Sequence, residues 1–398
     1  MKKLMLLGGS RYILPVIKAA HELGVYVITA DYLPNNYAHR YSDEYVNVSI
    51  VDEETVLKVA SSKGIDGIMS FACDPGVTTA AYVAEKLHLP SVGSYEAVCI
   101  LQNKRRFRQF LAQHGFNVPT AKGYTSVEQA LDETELFHWP VIVKPTDSAG
   151  SKGVTRIDSP DELRKSIEHA LAFSRGKEFI IEDFLQQKGY SSDSDSFSVN
   201  GEMKFISFNS QRFDAKANNP YTPAAYSWPS SISAEHQEEL STELQRLINL
   251  LELKTSIYNV ETRECIDGKA YIMECSPRGG GNRLAEMLKY ATGSDLIVNA
   301  VRAALGEDVH IEAPHYKDYW AEVILHSDKE GCLKNIWIAP EIQDLVVELD
   351  CWINAGTQVN SFTGANASLG TLVLKANEQV ALEKIMQAIS EYVKIVVE

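Results

Sequence analysis

The chain has 398 residues, 45% hydrophobic and 23% charged, with a formal net charge of −15. That length supports two or three domains with their own cores, and the acidic balance argues against a nucleic-acid or anionic-membrane partner, since both need a basic face. The densest basic run, NKRRFR at Asn103 to Arg108, reads as a solvated helix start, and no apolar stretch approaches the ~20 residues of a membrane span.

From the N-terminus, KKLMLLGG reads as a buried strand and Ser10 to Leu23 as a helix ended by Gly24. VYVITAD and DEYVNVSI are strands, Val51 to Lys63 a helix, GIDGIMSFA a strand, Thr78 to Leu87 a helix, and LPSVG a short strand. Short apolar strands between helices predict a parallel sheet covered on both faces. LLGGSRY opens a helix after the first strand but lacks the G-x-G-x-x-G spacing. With Asp31 ending the second strand it is a weak dinucleotide signal beside the plain reading of a strand-to-helix turn. The cysteines form no C-x-x-C pair and no zinc-spaced Cys/His cluster, so they read as reduced thiols of a cytoplasmic protein.

NVPTAKGYTS, around residues 116–125, is linker-like and leads into a compact α/β segment ending near Leu185. Gly189 to Gly201 reads as a polar loop leading into a strand and turn. Asn209 to Pro229 reads as a long irregular segment whose Arg212, Lys216, Asn218 and Asn219 suit a polar substrate, or else as a packed surface loop. Beyond Gly306, the strands WAEVILHS, LVVELD, GTLVLKA and VKIVVE and a helix from Ala381 to Glu391 predict a small α+β domain.

The stretch SIYNVETRECIDGKAYIMECSPRGGG carries the strongest chemistry. Asp267-Gly268 is a two-residue hairpin signal, and counting back from it sets Glu261 opposite Glu274. Paired carboxylates repel unless neutralised, and an oxygen-liganded Mg²⁺ would neutralise them; the bland reading is a solvated face with lysines nearby. Glu274 and Ser276 share a strand face, and Arg278 continues the row if Pro277 does not turn the chain first. The glycines at 279–281 then allow close backbone approach to a ligand and a helix start at Asn282.

Other segments suit the same ligand. WPVIVKP is a buried strand ending at Lys144, and TDSAGSKG follows it with Ser148, Gly150, Ser151, Lys152 and Gly153. Such a loop can fold N–H groups over phosphates, although it is not a Walker A motif. FIIEDFL is an apolar strand ending in Glu182, Asp183, Phe184 and Leu185, on its own a plain core strand, or one able to line an adenine.

The order Lys104, V-K-P with Lys144, S-A-G-S-K-G, I-E-D-F-L, Asp195 before V-N-G, Glu261 and E-C-S-P-R resembles the ATP-grasp superfamily. In particular it is similar to the branch with a biotin-carboxylase-like N-terminal domain, over roughly residues 1–305. The resemblance implies a parallel α/β domain at 1–103 and a two-lobed ATP-grasp domain at 104–305, with its small lobe near 122–186. It leaves a C-terminal α+β domain at 306–398.

It further implies ATP, with Mg²⁺ or Mn²⁺. Lys104 and Lys144 would touch phosphates, and 148–153 would be the flap, with Lys152 beside the reacting groups. Residues 182–185 would be the adenine hinge, and Asp195 a ribose- or substrate-facing acid. Glu261, Glu274 and Ser276 would hold the metal, and Arg278 would steady the γ- or acyl phosphate. Ser276 stands where these enzymes usually carry Asn, which leaves a second Mg²⁺ open.

The implied activity is an ADP-forming carboxylate–amine ligase using an acyl phosphate, acting on small molecules, as a homodimer, in the cytoplasm. The alternatives are a carboxylase or kinase on the same scaffold, or a nucleotide-binding regulator without chemistry. No A-M-K-M biotin-attachment sequence is present.

Overall fold

A computed structural model describes residues 1–398. Four short strands, β1 (Lys3–Leu7), β2 (Tyr26–Asp31), β3 (Glu44–Asn47) and β4 (Gly67–Ser70), pair in parallel in the order β3-β2-β1-β4. The unbroken apolar run of β1 follows from its two covered faces. Leu4 and Leu6 pack with Val16 and Ile17 of the helix Leu14–Glu22. Met5 and Leu7 pack with Val56 and Ala60 of the helix Glu53–Lys63. The predicted strand LPSVG does not form; Pro90 offers no N–H there, and the Val92 carbonyl instead accepts the Lys254 N–H at 2.7 Å. That bond ties the first region to the next.

A second sheet contains β5 (Ala121–Tyr124), β6 (Val141–Pro145), β7 (Thr155–Ile157) and β8 (Phe179–Asp183), antiparallel in the order β5-β8-β6-β7. Val141, Val143, Phe179 and Ile181 point to the helix Leu163–Phe173, which buries Ile167 and Ala170 against them. The β6–β7 connection, residues 146–154, holds the predicted flap.

The chain then forms β9 (Ser192–Val199), β10 (Glu202–Phe205), β11 (Ser210–Phe213), β12 (Pro223–Trp228), β13 (Ser256–Glu264) and β14 (Ala270–Ser276). The antiparallel sheet β10-β9-β13-β14 packs Tyr258, Val260 and Ile272 against Leu240, Leu244 and Leu247 of the helix Ala234–Leu250. The strand expected within 189–201 is β9, and it takes up most of the segment, leaving little of the expected polar loop. Serines 194, 196 and 198 take one face of it, and Asp193, Asp195 and Phe197 the other.

The irregular segment expected at 209–229 is mostly a hairpin. β11 and β12 join strands from the C-terminal region, β15 (Tyr319–Leu325), β16 (Gly331–Ile338), β17 (Val346–Cys351), β18 (Gln358–Val359), β19 (Gly370–Ala376) and β20 (Val393–Val397). The resulting sheets are β11-β12-β15-β19-β17 and β18-β16-β20. The backbone pairing of β12 with β15 therefore runs across residue 306. No helix is long and apolar enough to cross a membrane.

Candidate active site

The β13–β14 hairpin brings Glu261 opposite Glu274, but not by the expected turn. Glu264 faces Ala270, Arg263 faces Tyr271 and Thr262 faces Ile272. The loop is thus wider than Asp267-Gly268 alone, closed by Cys265 N–H to the Lys269 carbonyl at 2.9 Å. A bulge between Ile272 and Glu274 takes up one residue, Met273, and restores the Glu261–Glu274 pair. On the far side of β13, Glu261 faces Asp193 and Asn259 faces Asp195. With Asn259 also facing Ser276, one sheet face carries two rows, Asp193–Glu261–Glu274 and Asp195–Asn259–Ser276.

The cations come from three other elements. Asn103 caps the helix Lys104–Gln113 by accepting the Arg106 N–H, which fixes Lys104 at its start. Lys104 Nζ reaches Glu274 Oε1 at 3.0 Å and the Ser148 carbonyl at 3.0 Å, so it joins β14 to the flap. Burial pushes Lys104 down, and the carboxylates around it, Glu274 first and then Asp74 and Glu182, together reverse this. One turn along the same helix face, Arg108 meets Glu182 at 2.8 Å and donates to the Met273 carbonyl at 2.8 Å. Lys144 meets the other Glu182 oxygen at 2.8 Å.

Glu182 is therefore a buried anion between two cations. Burial opposes its charge, but Arg108 and Lys144 hold it down at about 2. Lys144 itself is pushed down by burial, which outweighs its pairing with Glu182. As for the expected hinge, the Glu182 side chain is committed to this pair. Asp183 accepts from His138 N–H and Nδ1, both at 2.9 Å, and Phe184 N–H donates to the Pro140 carbonyl at 3.0 Å. Leu185 packs on Cys265, Tyr271 and Met273, where the chain crosses from one sheet to the next.

Arg278 is turned toward the N-terminal region. Its Nε and Nη2 donate to the two oxygens of Asp74, at 2.9 and 2.7 Å, in a fork that burial makes firm. Ser276 Oγ donates to Asp74 Oδ1 at 3.0 Å and accepts from Gln102 Nε2 at 2.7 Å, which leaves one hydroxyl lone pair. The glycines behind Arg278 permit close approach. A Cβ on Gly279 would lie 2.1 Å from the Phe71 ring, and one on Gly280 would lie 2.9 Å from Asp195 Oδ1. The helix that follows is Leu284–Thr292, not one opening at Asn282, because Asn282 and Arg283 both take left-handed conformations. Arg283 then reaches Glu348 Oε1 at 2.7 Å and Thr371 Oγ1 at 2.8 Å.

These pieces enclose a cleft of about 280 Å³ lined by Asp74, Gln102, Lys104, Ser148, Glu274 and Ser276. Its roof is the flap, where Gly150, Ser151 and Gly153 have positive φ. Ser151 Oγ donates to the Tyr221 carbonyl at 3.0 Å, and Lys152 is exposed. Glu261 pairs with Arg263 at 2.9 Å. Asp195 lies under the Gly triplet, accepting the Gly280 N–H at 2.8 Å. Burial pushes Asp193 and Asp195 up to about 7, Glu261 adding to the push on Asp193.

Arg212, expected among substrate contacts, is instead buried. It donates to Ser227 Oγ at 2.7 Å, pairs with Glu383 and lies 4.3 Å over the Tyr190 ring. Asn218 and Asn219 donate to Ser361 and to the Thr363 carbonyl, so that loop is pinned to the C-terminal region. Sequence reasoning missed Asp74, Gln102, Arg108, Asp193 and Asn259. The alternation S-D-S-D-S and the four-residue step from Lys104 to Arg108 are signals that could have found two of them, Asp193 and Arg108.

Residues 137–286 match the family described as ATP-grasp domain. Those residues carry an ATP-grasp domain. The fold of the whole chain is that of several solved structures. The L-amino acid ligase from Bacillus licheniformis superposes with a TM-score of 0.81 at 18% identity, covering 100% of this chain and 99% of that one. Phosphoribosylglycinamide synthetase from Anaerococcus prevotii gives 0.76 at 20% identity, covering 100% of each. In sequence, the carbamoyl phosphate synthase large chain of Thermotoga maritima is 24% identical over 280 residues, 70% of this chain and 25% of that protein. The chain thus spans about a quarter of that relative's length.

The donor set fits a hard cation and a polyphosphate. Oxygen-only ligands from Glu261 and Glu274, a Ser276 lone pair and two nearby lysines provide what Mg²⁺ with phosphates requires. Removing one carboxylate of such a pair would leave the cations Lys104 and Arg263 to repel the metal.

Proposed function

We propose that this protein is an ATP-dependent, ADP-forming carboxylate–amine ligase that works through an acyl phosphate on small polar substrates. The observation that carries the reading is the convergence of Lys104, Glu274, Ser276 and the Arg278–Asp74 fork on one cleft beneath a glycine flap. ATP with Mg²⁺ would supply the phosphoryl group and the charge neutralisation that brings two anions together.

The chain's own residues do the positioning. Lys104 and Lys144 hold phosphate oxygens, and Glu261 and Glu274, with the Ser276 lone pair, hold the cation. Arg278, pre-aimed by Asp74, steadies the transferred group, since donors fixed before reaction cost no reorganisation during it. Closure of 148–153 brings Lys152 over the site and excludes water from a hydrolysable acyl phosphate. Residues 182–185, at the crossing between sheets, hold the adenine chiefly by backbone, the Glu182 side chain being occupied. The regions 1–103, 104–305 and 306–398 serve as domains of a cytoplasmic homodimer.

The test uses pools of ¹⁸O-labelled carboxylic acids with Mg-ATP and a pool of amines. Amine-dependent ADP with label in the released phosphate is expected. ADP with unlabelled phosphate would refute the acyl phosphate and favour a kinase or bicarbonate chemistry.

A further inference from the structure

We infer that Asp193 and Asp195 form the seat of a protonated primary amine, so that the acceptor substrate is an alkylammonium compound rather than a neutral aromatic amine or bicarbonate. This rests on the ligase reading and names the class of its second substrate. The carboxylates around the two-row sheet face fall into two groups. Asp74 has Arg278, Glu182 has Arg108 and Lys144, Glu261 has Arg263, and Glu274 has Lys104. Asp193 and Asp195 form no ion pair, and every partner they have is neutral.

Asn259 Nδ2 donates to Asp193 Oδ1 at 2.7 Å and to Asp195 Oδ1 at 3.3 Å. Gly280 N–H donates to Asp195 Oδ1 at 2.8 Å. Tyr226 OH and Gln211 Nε2 lie 3.3 and 3.4 Å from Asp193 Oδ2. Asp195 is 0% exposed, and its Oδ2 has no partner at all. Two adjacent acids held in place by amides and a phenol, one with a bare buried oxygen, are a site built for a cation that the protein itself does not supply.

The kind of cation follows from the donors. Asp195 Oδ1 already accepts two N–H groups, which fill the lone pairs a metal ion would need there. An ammonium is compact and carries three N–H donors, so it can share Asp193 with the free Oδ2 of Asp195. It gives one proton to these carboxylates to free its lone pair; the C–N bond then forms as the acyl C–O bond breaks and phosphate leaves. The position also fits an acceptor. Asp195 lies in the same row as Ser276, across one intervening strand, a separation of about 10 Å. The Gly280 amide that aims it is two residues past Arg278.

The experiment compares wild type with Asp193→Asn and Asp195→Asn. The acyl phosphate formed from the ¹⁸O acid pool is trapped in parallel by the amine pool and by hydroxylamine, which is neutral at pH 8 and needs no cation seat. The ratio of amide to hydroxamate should fall at least tenfold in each variant, with Mg-ADP affinity changed less than threefold. An unchanged ratio overturns the inference, and a more than tenfold loss of Mg-ADP affinity overturns it by assigning these acids to the metal. If wild type yields neither product, the ligase reading fails, and the seat is judged by melting metal-free protein in methylammonium chloride against sodium chloride at equal ionic strength. Wild type melting higher in methylammonium, with both variants indifferent, supports the cation seat; equal melting of wild type in the two salts refutes it.

Discussion

Glu182→Gln should destabilise this protein more than any other single isosteric change at the site. Glu182 is 2% exposed and sits 2.8 Å from both Arg108 and Lys144. Gln keeps the shape but leaves two buried cations sharing a neutral amide. Two independent routes give the magnitude. A carboxyl held at about 2, against an ordinary 4.5, reports ~3 kcal/mol of preference for the charged form. Removing one partner of a buried ion pair typically costs about 3–5 kcal/mol.

The sign with pH is set by the depressed value. The contribution is complete above about pH 4.5 and is lost as pH falls toward about 2, so wild type should approach the variant at acid pH. Urea melts of both proteins at pH 7 and at pH 3, read by tryptophan fluorescence, measure the difference. A variant within about 0.5 kcal/mol of wild type at pH 7 would show that Glu182 is not the counter-ion the structure makes it, since neutral surface changes lie in that range.

Glu274→Gln should abolish Mg-dependent turnover and weaken Mn²⁺ binding, read by electron paramagnetic resonance, while the melting curve stays close to wild type; full activity would remove the metal role. Ser276→Ala should cost Mn²⁺ affinity only a few-fold, because the hydroxyl has one lone pair to give, and its effect should be far smaller than that of Glu274→Gln. Arg212→Ala should lower stability by about 3 kcal/mol or more without a selective rise in substrate KM, since it strips a buried guanidinium from Ser227 and Glu383; a KM effect at unchanged stability would restore it to the substrate site. In metal-free protein, Asp195→Asn should reduce the pH dependence of stability between about pH 4 and pH 7, leaving the part that Asp193 contributes. Its wild-type carboxyl is pushed up to about 7, so the native state binds more protons than the unfolded chain and stability falls as pH rises through that window.

The parts of the fold set by local periodicity were legible. β1 had to be buried on both faces because no polar residue interrupts KLMLL, and the alternation of such runs with helices implied the parallel sheet that forms. The Glu261–Glu274 pairing was also legible, though the count that produced it used a two-residue turn. The wider loop and the bulge at Met273 offset one another. Periodicity cannot see a bulge, because the inserted residue is apolar and packs with Leu185 on either reading.

What stayed illegible were contacts fixed by distant chain segments. Nothing near Arg278 in sequence announces Asp74, 204 residues away, as its counter-ion. Nothing near Arg212 announces Glu383, 171 residues away. An arginine in a polar, aromatic segment looks like a ligand contact until a partner from a distant part of the chain takes its charge. β9 shows the converse. Ser and Asp are poor strand formers, so 189–201 reads as a polar loop leading into a strand, while β9 already begins at Ser192. Both of its faces nevertheless find partners: the serine face meets Ser207, Lys254 and Tyr258, and the aspartate face meets Asn259 and Gly280. A strand that a free chain would leave in water is held inside because polar groups from β13 and the glycine loop satisfy it. The one oxygen they leave unsatisfied, Asp195 Oδ2, is the atom on which the proposed cation seat rests.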